Sequence, residues 1–440
     1  MKIFILVLFL LTYALIVALP KFKVYITGAA CLVAVISCAI SGDMGVLSAL
    51  SGIKINVVLV LVGIMLTVGL FSETGMPNKM ADKLVSKTPN ALWAIVLLCA
   101  LSGLISAFVD NVATVLMLAP IGLAIAKKTD VSPIPVIIGI SVSSNLQGAA
   151  TLVGDTTSVM LADFAEMNFF EFFFLNGKPS IFFAVEIGAL LTIPFLIFIF
   201  RKDNKKIKLE PSDSKVTSLF PTVMLLINLV LLIVFSFVSE LIPVGIPFVK
   251  WLVDNGNGLI CFIIGIICLI HHTATVKSNP IKTAIGAIDV TTVLFLIFLF
   301  VLIKAVESVG IIADIASLFT SIGNSNVFLL YTVIVFGSVL ISAFIDNIPY
   351  VATMLPVISG LCVSLPSVSP YLLYFGLLCG ATLGGNLTPV GASANVVGIG
   401  ILSREGYNTT YKDFFKIGLP FTLIAVLSGY AFIWIFWGMM

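Results

Sequence analysis

The 440-residue chain is 60% hydrophobic and only 10% charged, with a net charge of +2 and a mean hydropathy of +1.20. A water-soluble protein carries roughly 25% charged residues, so most of this surface must face lipid. The near-balanced charge gives no reason to expect a nucleic-acid partner, and none is expected.

Apolar runs follow in chain order at 3–19, 24–40, 57–71, 91–108, 181–200, 223–238, 259–270, 290–303, 327–344 and 421–437. Crossing the ~30 Å hydrocarbon core takes about 20 mostly apolar residues. The long runs therefore predict spanning helices, and the shorter ones fit partial or broken spans. The first run follows Lys2 and leads into Pro20-Lys21-Phe22-Lys23. With no small-x-small cleavage site there, it reads as a first span rather than a secretory leader. Seven cysteines lie in or beside apolar runs without metal-ligand or disulfide spacing and read as small buried residues. No metal site is expected, and no cofactor beyond a coupling ion, Na⁺ or H⁺. The expected setting is the lipid bilayer of a prokaryotic cytoplasmic membrane.

The chain contains a repeat. Ile105-Ser-Ala-Phe-Val-Asp-Asn111 returns as Ile341-Ser-Ala-Phe-Ile-Asp-Asn347, and Pro120 returns as Pro356, at the same separation. One residue further out of register, Gly148, Thr151 and Gly154 match Gly385, Thr388 and Gly391. Common ancestry of two halves explains this better than chance. Lys and Arg collect on the cytoplasmic side of a membrane. Lys79, Lys83, Lys87, Lys127 and Lys128 flank the first motif, whereas 310–326 and 361–370 around the second carry neither residue type. Beyond the motifs the bias reverses: 163–180 has only Lys178, but 403–420 has Arg404, Lys412 and Lys416. The halves, 1–200 and 219–440, are therefore predicted to lie in opposite orientations, joined by a basic cytoplasmic linker at 201–218. The predicted fold class is an all-α polytopic membrane protein of two inverted repeats. Each repeat has about five spans, a re-entrant hairpin and a broken helix. Secondary transporters built this way bind their cargo near mid-membrane, between the repeats.

Two constellations carry chemistry. In the first, the chain turns back at Asp110-Asn111 and at Asp346-Asn347 with no polar loop between the apolar arms. An Asp at membrane depth costs about 2.5–3.5 kcal/mol on insertion scales, so two at matched positions suggest proton exchange or Na⁺ coordination. Ser106, Asn111, Ser342 and Asn347 supply neutral oxygens of the kind a hard cation prefers. Each Asp could equally cap the helix that follows it, and the two roles are compatible. The second constellation runs through Asn145, Gly148, Thr151, Gly154, Asp155, Thr156 and Ser158, echoed by Asn386, Thr388, Gly391, Ser393 and Asn395. Gly, Thr, Asn and Pro inside an apolar stretch read as unwound helix, tolerated at membrane depth only around a cavity or buried in protein. These residues are predicted to bind substrate. Asp155 has Ala392 as its counterpart, so the symmetry breaks there. Lys304 and Glu307 read as a snorkelling lysine with an interfacial acid. His271-His272 reads as interfacial, and 169–174 as an amphipathic interfacial segment.

The segments Phe344-Ile-Asp-Asn-Ile-Pro349, Gly384-Gly-Asn-Leu-Thr-Pro-Val-Gly-Ala-Ser-Ala-Asn395 and Arg404-Glu-Gly-Tyr407 resemble the ion transporter superfamily. That group includes arsenite permeases, certain Na⁺/H⁺ antiporters, citrate-transporter-like permeases and relatives of the melanosomal P protein. The similarity spans nearly the whole chain. It implies a re-entrant hairpin and a broken helix in each half, with substrate and ion sites at the hairpin tips and unwound segments. It also implies a homodimer with elevator-type movement. One departure concerns substrate: Thr156-Thr157-Ser158 stands where the first half of such proteins often has two prolines and Asn. The leading expectation is a secondary transporter coupling H⁺ or Na⁺ to a small anion or oxyanion, and the alternative is Na⁺/H⁺ antiport alone. A channel lacks its charged ring or filter motif. An enzyme lacks a nucleophile–base pair or an HExxH motif.

Overall fold

The computed structural model describes residues 1–203, 205 and 216–439; most of the linker expected at 201–218 lies outside the described residues. The first half contains α1 (Lys2–Ala18), α2 (Lys23–Ser41), α3 (Val46–Leu50), α4 (Ile55–Glu73), α5 (Met76–Val85), α6 (Ala91–Ser106), α7 (Asn111–Thr129), α8 (Pro133–Gly148), α9 (Thr156–Phe164) and α10 (Ile181–Phe200). The second contains α11 (Phe220–Val238), α12 (Pro247–Asp254), α13 (Gly256–Val276), α14 (Pro280–Ala287), α15 (Val290–Ser308), α16 (Ile311–Ser325), α17 (Val327–Ser342), α18 (Asn347–Ser364), α19 (Pro370–Leu378), α20 (Ser393–Arg404) and α21 (Tyr411–Ile433). Apart from α12, the helices of the second half repeat the order of the first. Among the described residues, nine helices are long and apolar enough to cross a membrane.

The outer helices are apolar on nearly every face. Leu226, Val230, Leu231 and Phe237 of α11 are exposed, as are Leu190 and Leu191 of α10. Such faces are stable only against lipid. The segment at 169–174 buries Phe169 and Phe172 and leaves Phe174 exposed. It leads into a two-stranded hairpin, β1 (Phe174–Leu175) and β2 (Lys178–Pro179).

Two contacts fix the relative direction of the equivalent helices α4 and α15, both 19 residues long. A Cβ on Gly52, just before α4, would lie 2.7 Å from Lys304 Cβ near the end of α15. A Cβ on Gly69, near the end of α4, would lie 2.8 Å from Ala287 Cβ, just before α15. The two helices therefore run antiparallel, as an inverted repeat requires. The interlock continues where α4 packs on α13 and α2 on α15. Ion pairs sort the helix ends in the same sense: Lys127 at the end of α7 meets Glu405 beyond α20 at 2.5 Å, and Lys2 meets Asp314 of α16 at 2.5 Å. The frame so formed packs against the two motif-bearing hairpins, α4 on α7 and α15 on α18.

Candidate functional site

Each hairpin has a 16-residue first arm, α6 or α17, about 24 Å at 1.5 Å per residue. That is shorter than the ~30 Å core. The arms end at Ser106 and Ser342, and their partners α7 and α18 begin at Asn111 and Asn347. Asp110 is the N-cap of α7, its Oδ2 accepting from Ala113 N at 3.0 Å. Asp346 is the N-cap of α18, its Oδ1 accepting from Ile348 N at 3.2 Å. A carboxylate suits this position because it answers the free N–H groups of the first turn. Asp346 also accepts from Ser393 Oγ at 2.9 Å.

Each tip docks on the broken helix of its own half, and the two docks match. Thr151 Oγ1 donates to Ala107 O, and Thr388 Oγ1 donates to Ala343 O. Gly154 and Gly391 let the strands of backbone close. A Cβ on Gly154 would lie 2.6–2.8 Å from the carbonyl oxygens of Gly148, Ala107 and Ser106. A Cβ on Gly391 would lie 2.6–2.9 Å from those of Gly385, Ser342 and Ala343. Three carbonyl oxygens therefore converge on the dock of each hairpin tip. Asn395 Nδ2 donates to Gly385 O at 3.1 Å and Thr388 O at 3.3 Å, while its counterpart Ser158 donates more weakly to Gly148 O at 3.4 Å. Ser342 Oγ donates to Ala381 O at 2.6 Å. Ser106 Oγ and Asn395 Oδ1 are buried with no hydrogen-bond partner among the described residues, a cost that a bound ion or cargo would relieve.

The helix breaks are shorter than the sequence pattern suggests. α8 runs on to Gly148 and α9 begins at Thr156, leaving only 149–155 non-helical. In the second half α19 continues through a π-turn at Cys379–Leu383 and a 3-10 turn at Gly385–Leu387, and α20 begins at Ser393. Asn145 therefore sits on intact helix, with its amide directed at the other half. Asn145 Nδ2 donates to Thr382 O at 2.8 Å and Asn386 Oδ1 at 3.1 Å; Asn386 Nδ2 returns to Val142 O at 2.9 Å. Asn111 Nδ2 donates to Asn145 Oδ1 at 3.1 Å, and Ser144 Oγ to Asn111 O at 3.0 Å. On the other side, Asn347 Nδ2 donates to Asp155 Oδ2 at 3.3 Å, and Thr157 Oγ1 donates to the same oxygen at 3.0 Å. Thr157 and Thr382 hydroxyls share a 2.9 Å hydrogen bond. One polar seam thus runs from hairpin tip to hairpin tip across the halves.

Asp155 is 5% exposed and is the only buried acidic or basic side chain among the described residues. It lies within Coulombic reach of both Asp110 and Asp346. Three carboxylates thus lie within mutual electrostatic influence around Asp155, and among the described residues no Lys, Arg or His is buried to answer them. The structure brings Asp110, Asn111, Asp155, Asn145, Asn347 and Asn386 into one connected region, with Asp346 tied to it through Ser393 and the α18 cap. Thr156, at the start of α9, is buried but adds no side-chain bond to the seam. Sequence reasoning marked Thr157 only as part of the Thr156-Thr157-Ser158 departure and missed Thr382. Thr382 stands at the repeat position of Asn145, a signal that the alignment of the halves contained.

With this geometry in hand, the relatives are informative. The citrate transporter family model, CitMHS, matches residues 6–366 and 256–439. The chain belongs to this family. It is 29% identical over 440 residues to an uncharacterised transporter of Mycobacterium tuberculosis (strain ATCC 25618 / H37Rv), covering 99% of both proteins. It is 30% identical to the 46 kDa membrane protein of Mycobacterium leprae (strain TN), again over 99% of both. The human P protein is 27% identical over 91% of this chain, which spans 56% of that protein. Among solved structures, the Alcanivorax borkumensis YdaH transporter matches with a TM-score of 0.58 and 16% identity, over 91% of this chain and 88% of that one. Neisseria gonorrhoeae MtrF matches with a TM-score of 0.56 and 15% identity, over 93% and 85%. Those identities carry the fold alone. This citrate transporter family member is an integral membrane secondary transporter and not an enzyme.

Proposed function

We propose that the protein couples Na⁺ or H⁺ to movement of a small anion, a carboxylate or an oxyanion, by alternating access between inverted halves 1–200 and 219–440. The observation that carries this reading is the meeting of three carboxylates and two carbonyl clusters at the seam between the halves. Asp110 with Asn111 and Ser106, and Asp346 with Asn347 and Ser342, are the coupling sites; hard cations favour such oxygen sets. Cargo sits between the broken segments, held by Asn145, Thr151, Asp155, Ser158, Asn386, Thr388, Ser393 and Asn395. The N-termini of α9 and α20 turn partial positive charge towards it. An anion among uncompensated carboxylates is repelled by several kcal/mol in a low dielectric, so it binds only when cations or protons have neutralised the aspartates. Coupling follows from that requirement.

The same lack of a buried basic group favours one second reading, Na⁺/H⁺ antiport with no anionic cargo. Proteoliposomes holding a pH-sensitive dye separate the two. They are challenged with Na⁺, then arsenite, then di- and tricarboxylates. A pH change on Na⁺ alone makes the protein a cation/proton antiporter. A response that requires one anion identifies the cargo and supports the coupled reading.

A further inference from the structure

Away from the seam lies a cavity of about 450 Å³ between the frame and the second hairpin arm. Its walls include Ser51 and Lys54 before α4, Lys304 and Glu307 of α15, Phe164 at the end of α9, and Ser359 of α18. Ser359 is about 18 Å along α18 from Asn347 at helical rise, which places the cavity near the end of α18 remote from the tip. Two ammonium groups line it. Lys54 Nζ lies 3.0 Å from Asp163 and 4.4 Å from the centre of the Phe164 ring. Lys304 Nζ lies 3.0 Å from Glu307. The side chains of Lys54 and Lys304 remain 36% and 33% exposed.

These lysines have no counterparts at the opposite end of the antiparallel α4–α15 pair. Asp289 occupies the N-cap of α15 where Lys54 precedes α4, and Gly69 stands in α4 where Lys304 stands in α15. The basic pair therefore belongs to one access route and not to the repeat as such. Gly52 allows the stem of Lys304 to lie flat against the loop, which presents its head to the cavity.

We propose that this cavity is an anion-binding vestibule, in which Lys54 and Lys304 receive the carboxylate or oxyanion groups of the cargo before it reaches the seam. Partly exposed ion pairs are worth little, so Asp163 and Glu307 yield to a ligand whose several acidic groups engage both lysines at once. The seam has no basic side chain of its own, and the vestibule supplies the attraction it lacks. Releasing Lys54 from Asp163 also frees the end of α9, the helix that Asp155 begins. The proposal rests on the reading that the cargo contains an anion.

The test uses the full-length protein in proteoliposomes, with citrate as the probe at fixed Na⁺ and pH. Lys54→Gln and Lys304→Gln each raise KM about tenfold, as expected for loss of one charge-assisted bond, with the maximal rate falling less than twofold. Glu307→Gln lowers KM, a gain that misfolding does not produce. In Asp346→Asn, citrate binding measured by calorimetry survives the loss of uptake and weakens about tenfold on adding Lys304→Gln. Uptake with KM unchanged in both Lys304→Gln and Glu307→Gln overturns the vestibule and leaves the coupled transporter standing. Wild-type protein that exchanges Na⁺ for H⁺ but neither binds nor moves citrate, arsenite or dicarboxylates overturns the anion reading and the vestibule with it.

Discussion

Asp110 and Asp346 each hold a helix N-terminus and present a charge, and a single atom change separates the two roles. Asn caps a helix about as well as Asp, whereas Ala costs about 1 kcal/mol. Asp110→Asn and Asp346→Asn should therefore keep the thermal midpoint of the purified protein near that of the wild type while abolishing ion-coupled uptake. The Ala variants should lose both. Wild-type uptake in the Asn variants would sink the coupling role. Asp155 differs because, besides standing at the N-cap of α9, its carboxylate accepts from the side chains of Asn347 and Thr157. Asp155→Asn should raise the coupling-ion concentration for half-maximal uptake about tenfold or more, since bonds to charged groups contribute about 1.5–3 kcal/mol. An unchanged ion dependence would reduce Asp155 to a structural hinge between the halves. The tip residues were legible in the sequence because they occur twice. The hydrogen bond between Thr157 and Thr382 was not, because it is a contact across the halves that neither copy shows alone.

At the scale of elements, the sequence located both broken helices but overstated their length. Polar Asn145 looked like an unwinding signal, yet α8 stays helical through it, because the helix keeps its own backbone bonds while the Asn145 amide is satisfied from the other half. The one-residue shift between the copies falls between the starts of α7 and α8 in one half, Asn111 and Pro133, and of α18 and α19 in the other, Asn347 and Pro370. There α18 is one residue shorter than α7 and the turn after it two residues longer. What positions the tips is the closeness of backbone at Gly154 and Gly391. Gly154→Ala and Gly391→Ala force a methyl against three carbonyl oxygens, and overpacking of this kind costs about 1–3 kcal/mol. Each variant should express and span the membrane, yet show uptake reduced at least tenfold with a lowered thermal midpoint. Gly286→Ala, where the added carbon meets nothing within 4 Å, should leave both unchanged. Equal behaviour of all three variants would mean that the docks tolerate displacement and do not set the site.

For the whole molecule, the Lys and Arg pattern disclosed opposite orientations, and the antiparallel run of α4 and α15 agrees. The sequence did not disclose that the halves exchange frame helices. α4 lies against α13 so closely that a Cβ on Gly63 would run into the backbone of Cys261, and α2 packs on α15. Hydropathy reports which helices enter the bilayer and is blind to their partners there, since lipid and a neighbouring helix are equally apolar. An exchanged frame has a measurable consequence. Neither half can complete its own packing, so each depends on the other more than on the peptide that joins them. A chain break placed between Asp203 and Val216 should therefore leave a functional protein when the two fragments are produced together. The fragments should co-purify through a tag on either one and restore uptake, while each produced alone should be degraded or aggregate. Fragments that are each stable alone and fail to associate would show that the halves fold as separate bundles, and the polar seam would then have to form without support from the frame.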